Sequence, residues 1–150
     1  MVSSRLVYCN SLLYGLNKSS VWQLQKVQNA LCRFIFNLNR KSYVSPYLQR
    51  LHWLPVHYRV LFKFNLLIYK ALNLSQPPYL ASLIKASPSA RGKRLVSSHS
   101  AKNCMGYRSF VTDAPREWNN LPQCIRVLDS LPEFRSILKT YLFRLAYPPN

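Results

Sequence analysis

The stretch LHWLPVHYRVLFKFNLLIYKAL, residues 51–72, joins a proline-marked junction to a long apolar run. After Pro55, apolar residues cover most of a helical wheel as far as Leu72, which is typical of a mostly buried helix. The cations of this run share one narrow stripe: Arg59, Lys63 and Lys70. Because Pro55 begins a helix on a new axis, the stretch predicts the central helix of an all-α fold.

A second helix is predicted upstream, in SSVWQLQKVQNALCRFIFNL, residues 19–38. Ser19 or Ser20 offers an N-cap oxygen. Apolar residues recur at intervals of three and four and predict a core-facing stripe: Val21, Leu24, Val27, Leu31, Phe34, Ile35 and Leu38. Lys26, Arg33 and Arg40 are spaced by seven, so we expect a cationic rim near one azimuth of this helix.

Shorter helices are predicted around these two. Ser45 followed by Pro46 begins one that runs to about His52, and PPYLASLIK, residues 77–85, predicts another. In DAPREWNNLP, residues 113–122, Asp113 is the predicted cap, Pro115 occupies an early position and Pro122 ends the helix.

The final helix is marked by SLPE, residues 130–133, which matches a capping box. One apolar stripe follows it: Leu131, Phe134, Ile137, Leu138, Tyr141, Leu142 and Leu145. The whole pattern predicts an all-α chain of about five helices, with a long basic loop before the last two. We expect one domain made of a helical segment, a Ser-rich basic loop and a C-terminal helical segment: residues 1–85, 86–109 and 110–147.

Charge is the most unusual property of the chain. It has 21 Lys and Arg against 4 Asp and Glu, a formal charge of +17 and a pI near 10.2. All the acids lie between Asp113 and Glu133. A surface of one sign favours a polyanionic partner, meaning nucleic acid, acidic lipid or an acidic protein, and we expect nucleic acid.

Other partners and compartments are less favoured by the sequence. No window reaches about 18 uninterrupted apolar residues, so no membrane span is expected. The cysteines are widely spaced, without a zinc-ligand pattern, and no cofactor motif is present. We expect an intracellular protein, nuclear or cytoplasmic, and the sequence leaves its oligomeric state open.

Enzymatic chemistry is not expected of this chain. Two-metal phosphoryl transfer needs clustered carboxylates, whereas Asp113, Glu117, Asp129 and Glu133 are explained by helix starts. His52 and His57 are five residues apart, a spacing that misses a shared helix face. We therefore predict neither a catalytic residue nor a metal site.

Nucleic-acid contacts are predicted in two sets of cations. The first flanks the Ser-rich chain, because a mobile arm can follow a phosphate backbone: Arg91, Lys93, Arg94, Lys102 and the nearby Arg108. The second lies on and after the upstream helix: Lys26, Arg33, Arg40 and Lys41. No recognition helix for base-specific readout is predicted.

Several blocks of the chain together resemble a known family. They are SRLVYCNSLLYGL, LQKVQNALCRFIF, the stretch from 51 to 72, PPYL, RSFVTDAPREWNNLP and FRSILKTYLFRLAY. In order and spacing they resemble the C-terminal part of non-LTR retrotransposon (LINE) reverse transcriptases, of the Jockey-like and chicken-repeat-like clades. Family members usually carry an acid where Val7 stands here, and often one at His57.

The resemblance implies a region downstream of the polymerase palm that grips template RNA and primer, with residues 1–85 as its thumb-like segment. The family's catalytic aspartate pair and endonuclease have no counterpart here, so no catalytic residue carries over. Trp53, Pro55 and Trp118 would then be structural, although Trp53 could instead stack on a base.

Two functions stay open after the resemblance, with a third that is less favoured. The first is a non-catalytic module that binds RNA or an RNA–DNA hybrid. The second is a translated transposon remnant without selected activity, whose helices once packed against a palm that is now missing. The third is a basic protein of a membrane surface or mitochondrion.

Overall fold

A computed structural model describes residues 14–15, 17–87, 93–96 and 110–148. Within these residues the chain forms seven helices and no strand. They are α1 (Lys18–Ile35), α2 (Ser45–Arg50), α3 (Val56–Asn73), α4 (Pro78–Ala81), α5 (Phe110–Asn120), α6 (Gln123–Arg126) and α7 (Leu131–Ala146). The all-α prediction is confirmed, but the helix count of about five was too low. The four residues of α6 are too few to show a 3.6-residue period.

The chain divides into two compact units. Unit 1 comprises Met1–Phe62 and Thr140–Asn150, and unit 2 comprises Lys63–Lys139. Two long helices, α3 and α7, supply residues to both units. The predicted extent of α3 is correct to within one residue.

Asn17 caps α1, where a serine was predicted. Its side-chain oxygen accepts a hydrogen bond from the Ser20 backbone N–H at 2.9 Å, so both candidate serines lie inside the first turn. The helix ends in a Schellman motif: Asn37 has φ of 50°, and the Leu38 N–H donates to the Arg33 carbonyl at 2.9 Å. Since α1 ends at Ile35, Arg40 is not on the helix, which corrects the predicted rim.

The fully buried residues of α1 are not those of its apolar stripe, of which Val21, Leu24 and Leu31 are half-buried. Gln28 and Cys32 are fully buried, whereas Phe34 is 85% exposed and Val27 and Ile35 are also exposed. The Gln28 amide nitrogen donates to the Leu54 carbonyl at 2.9 Å, while its amide oxygen is buried without a hydrogen-bond partner. The inward face of α1 therefore carries a buried polar side chain that hydrophobicity alone does not predict.

A second Schellman motif ends α2 and forms the junction before α3. The helix stops at Arg50, short of the predicted His52, and Val44 rather than Ser45 is its N-cap residue. His52 has φ of 53°, while the Trp53 N–H donates to the Leu48 carbonyl at 2.9 Å. The position of His52 is one that glycine usually occupies, because it requires left-handed backbone.

Side chains of α1, of α3 and of Tyr147, which directly follows α7, satisfy the backbone of this junction. The Leu54 carbonyl accepts from Gln28 and also from Arg59 Nε at 2.8 Å. Gln25 accepts a hydrogen bond from the Val56 N–H at 2.8 Å, which is one of the first N–H groups of α3 and has no partner within that helix. The Tyr147 hydroxyl donates to the Trp53 carbonyl at 2.7 Å. The core of unit 1 lies beside the junction: Cys32, Val44 and Leu48, with Phe36, Tyr47, Leu51, Trp53 and Tyr147 against them.

Three aromatic side chains form the centre of unit 2. Tyr69, Trp118 and Phe134 are fully buried. The Tyr69 and Phe134 rings stack with centroids 4.2 Å apart, and Trp118 lies 5.8 Å from Phe134. Aromatic pairs of this kind add about 1 kcal/mol each beyond the area they bury. Trp118 is therefore a core residue of unit 2.

Part of the predicted basic loop is anchored to unit 2. Leu95 is buried and pairs with Ala86 in an isolated antiparallel bridge. The Asn119 side chain accepts from the Leu95 N–H at 3.0 Å and donates to its carbonyl at 2.9 Å. Trp118 Nε1 donates to the Lys93 carbonyl at 2.7 Å. Residues 86–87 and 93–96 of the predicted basic loop are therefore loop residues anchored to unit 2, and the rest of that loop lies outside the described residues.

Asp113 is not the cap of α5, because that helix begins at Phe110. Its carboxylate is buried inside the first turn and accepts a hydrogen bond from Arg116 at 2.7 Å. Burial raises the pKa of Asp113, and the Arg116 charge opposes that rise. The predicted start of α7 directly after Ser130 is confirmed. Of its predicted stripe, Ile137 and Leu145 are exposed, while every fourth residue is buried: Phe134, Leu138 and Leu142.

Substitution of His52 tests the left-handed junction. We expect His52→Gly to be more stable than His52→Ala by about 1 kcal/mol, because only glycine adopts positive φ without a steric cost. Both variants lose the stacking of His52 on Phe143 equally. Urea unfolding of the two variants measures the difference, and equal stabilities would contradict the assigned backbone geometry.

Substitution of Asn119 tests the anchor on Leu95. We expect Asn119→Ala to lower the free energy of unfolding by about 1 to 3 kcal/mol, because it leaves both backbone groups of buried Leu95 without the amide. The neighbouring Asn120 is exposed and serves as the matched control, for which Asn120→Ala should change stability by less than about 0.5 kcal/mol. Equal effects of the two substitutions in urea unfolding would argue against the anchor.

Candidate nucleic-acid interface

A cavity of about 570 Å³ opens within unit 1, a volume in the usual range for small-molecule sites. Its walls come from α1, from the turn and helix that follow, and from the end of α7. The lining residues are Trp22, Gln25, Asn29, Arg33, Lys41, Ser42, Tyr43, Val44, Ser45, Leu48, Pro55, Ala146 and Tyr147.

One face of α1 forms a polar wall of this cavity. Trp22, Gln25, Asn29 and Arg33 follow at intervals of three and four residues, which brings them to the same side of the helix. The Gln25 amide is committed at both ends: its oxygen accepts from Val56 and its nitrogen donates to the Asn29 side-chain oxygen at 2.8 Å. Asn29, whose side-chain oxygen is held by Gln25, lines the cavity.

Arg33 brings positive charge to the same wall. Its Nη2 donates to the Ser42 carbonyl at 3.4 Å, while its Nε is buried without a hydrogen-bond partner. Neither stretch of sequence that makes up unit 1 contains an Asp or Glu, so no side-chain carboxylate of the unit neutralises Arg33 or Lys41. The three ion pairs among the described residues all belong to unit 2.

Exposed aromatic rings stand beside these cations. Trp22 is 56% exposed and Tyr43 is 76% exposed, although both line the cavity. The Lys26 ammonium lies 5.9 Å from the centre of the Trp22 ring, within the range of a cation–π interaction. Aromatic faces next to cations are the combination that single-strand-binding proteins use for bases and phosphates.

The second predicted set of cations falls largely around this cavity. Arg33 and Lys41 line it, and Lys26 lies against Trp22. Arg40 is exposed in the turn that precedes Lys41. The structure therefore gathers three of these four residues at one place in unit 1.

The first predicted set is described only in part. Lys93 donates to Asn73 at 3.2 Å and forms an ion pair with Asp129, so its charge already has a partner. Arg94 is exposed. Arg91, Lys102 and Arg108 lie outside the described residues.

The sequence reasoning missed the aromatic and amide part of the cavity. Trp22, Asn29 and Tyr43 were not among the predicted site residues. A usable signal was the polar stripe from Gln25 to Arg33, which includes Gln28 and Asn29 and interrupts an apolar helix. Amphipathic patterns alone assign such polar residues to solvent, which is why the pattern does not reveal the site.

Two negative findings apply to the described residues. They hold no group of three or more His, Cys, Asp or Glu side chains that could bind a metal ion. Among the same residues, no helix combines the length and apolar character needed to cross a bilayer.

Comparisons with protein-family models, with curated proteins and with solved structures found no match to this chain.

Ionisation of Tyr147 should destabilise unit 1 at high pH. Burial raises the pKa of Tyr147 from its usual 10.0 to about 12, with Cys32 adding to the rise and Arg59 opposing it. The folded chain therefore keeps this proton up to about pH 12, while the unfolded chain releases it near pH 10.0. The stability contributed is complete below about pH 10 and is lost as the pH rises towards 12.

Thermal unfolding between pH 9 and 12 of the native chain and of Tyr147→Phe measures this loss. We expect the melting temperature of the native chain to fall more steeply above about pH 10. Tyr69, whose pKa burial also raises, remains in both proteins and its contribution cancels in the comparison. Tyr79→Phe, at an exposed position, is the control, and parallel curves for all three proteins would refute the assignment.

Proposed function

We propose that the chain is a non-catalytic module that binds RNA or an RNA–DNA hybrid through the cationic surface of unit 1. The carrying observation is the charge distribution: unit 1 has Lys and Arg but no Asp or Glu, and two of its cations line a cavity beside exposed aromatic rings. Such a surface repels itself and is stabilised by a polyanion.

The resemblance to the C-terminal part of LINE reverse transcriptases supports the same proposal. In that family this region grips template and primer downstream of the palm. The proposed binding is of charge and shape, because phosphate contacts position a nucleic acid without reading its sequence. The proposal assigns the chain no catalytic step.

A second candidate is a transposon remnant with no selected activity. The observation that favours it is the apolar surface of α1, where Phe34 is 85% exposed and Ile35 is 51% exposed. A helix that once packed against a missing polymerase domain would show such a face. In such a remnant, the positive charge of the chain would bind all nucleic acids with similar affinity.

The salt dependence of binding distinguishes the two candidates. Fluorescence anisotropy would follow the full chain with single-stranded RNA, an RNA–DNA hybrid and duplex DNA over a series of salt concentrations. For a single strand, log K falls with log salt by about 0.7 for each phosphate neutralised. We expect several phosphate contacts and a preference among the three substrates.

A pair of double variants localises the contacts. Arg40→Gln with Lys41→Gln should reduce the salt slope for single-stranded RNA by about 1.4, the value for two lost phosphate contacts. Arg135→Gln with Lys139→Gln removes the same charge from exposed positions of α7 in unit 2 and should change the slope less.

The opposite result would leave the remnant as the better account. In that result the two double variants lower the salt slope equally, and the chain binds the three nucleic acids with equal affinity. A scrambled peptide of the same charge then binds them as tightly as the chain does. Circular dichroism of each variant verifies that the helices are intact.

A further inference from the structure

The cavity of unit 1 has a specific chemistry that goes beyond a basic surface. It combines a partly exposed indole, a guanidinium with a buried unpartnered Nε, and an exposed ammonium, contributed by Trp22, Arg33 and Lys41. The Asn29 amide lies between Trp22 and Arg33 on the same face of α1. A planar apolar group and a phosphate together satisfy these side chains better than either does alone.

Resting on the proposed function, we infer that this cavity holds one unpaired nucleotide, with its base against Trp22 and its phosphate at Arg33 and Lys41. The base gains a stacking surface that any of the common bases can use. The phosphate gains charge-assisted hydrogen bonds from the Arg33 guanidinium and the Lys41 ammonium.

The aromatic contact favours an unpaired strand over a duplex. The cavity of about 570 Å³ is large enough to hold one nucleotide. A paired base is stacked on both faces and presents only its edges, so it cannot lie flat on Trp22. Ribose and deoxyribose strands share this chemistry, and both are included in the test.

Two side chains hold the wall in place before a ligand arrives. Gln25 links Asn29 to the start of α3, and the Ser42 carbonyl accepts from Arg33. Trp22 is held less firmly, since Lys26 is its cation–π neighbour and more than half of its surface is exposed. The aromatic contact is therefore the part of the site that a substitution removes with least damage to the fold.

The experiment pairs a protein variant with a change in the strand. Anisotropy titrations would compare oligouridine with a strand of the same length made of abasic units, which keeps every phosphate but has no base. Trp22→Ala should weaken oligouridine binding about tenfold, the loss of one base stack, and change abasic-strand binding by less than about twofold. Trp22→Phe, which keeps a ring, should retain most of the binding.

The phosphate contact is tested by a charge-matched pair. Arg33→Gln should weaken the binding of oligouridine and of the abasic strand by the same factor. The control Arg135→Gln removes one charge from an exposed position in unit 2 and should weaken binding less. Lys41→Gln, at an exposed residue, repeats the test without disturbing the Ser42 contact. Oligothymidine and its abasic counterpart measure whether the 2′-hydroxyl contributes.

The possible failures are distinguishable. If both strands bind with strong salt dependence and Trp22→Ala weakens them equally or not at all, the nucleotide site is refuted and the proposed function stands. If duplex RNA binds as tightly as oligouridine, and Trp22→Ala weakens the binding of both by the same factor, the unpaired-strand inference is refuted. If neither strand binds above the scrambled peptide, the proposed function fails together with the site.

Discussion

The carbonyl of Leu54 accepts two hydrogen bonds, one from Gln28 of α1 and one from Arg59 of α3, and the architecture of unit 1 depends on this shared acceptor. Pro55 has no N–H and donates no backbone hydrogen bond at this junction. The Leu54 carbonyl and the Val56 N–H beside it are bonded by side chains, and a buried backbone group left without a partner would cost about 1 to 3 kcal/mol. Arg59 also lies 5.6 Å from the Trp53 ring, which adds a cation–π contact to the same junction.

The orientation of α1 follows from that junction. Gln25 and Gln28 must face inward to reach Val56 and Leu54, so the polar stripe of the helix is turned towards the unit. The same rotation exposes Phe34 and brings Arg33 to the wall of the cavity. Fold and candidate site are thus linked: the hydrogen bonds that close the LHWLPV turn also position the guanidinium and the indole.

In unit 2, side chains of a helix likewise hydrogen-bond to the backbone of a loop. Asn119 pairs with both backbone groups of Leu95, and the Trp118 indole donates to the carbonyl of Lys93. A short basic stretch with no periodicity is therefore ordered by two neighbouring side chains of α5. Lys93 is also paired with Asp129. By contrast, the cations that line the cavity of unit 1 have no acidic residue within their unit.

The sequence by itself determined the all-α class, the extent of α3 and the start of α7 after Ser130. It also showed that every acidic residue lies between Asp113 and Glu133. These are local or compositional properties, set by periodicity, caps and charge. Only the tertiary structure decided that Asn17 caps α1, that Asp113 lies inside α5, and that Gln28 rather than Phe34 is buried. It also brought Trp22, Arg33 and Lys41 to one cavity. The reason is physical. Amphipathic patterning predicts which apolar side chains are buried. It does not predict which polar side chains are buried, because these are selected by backbone groups of a distant turn that need hydrogen-bond partners.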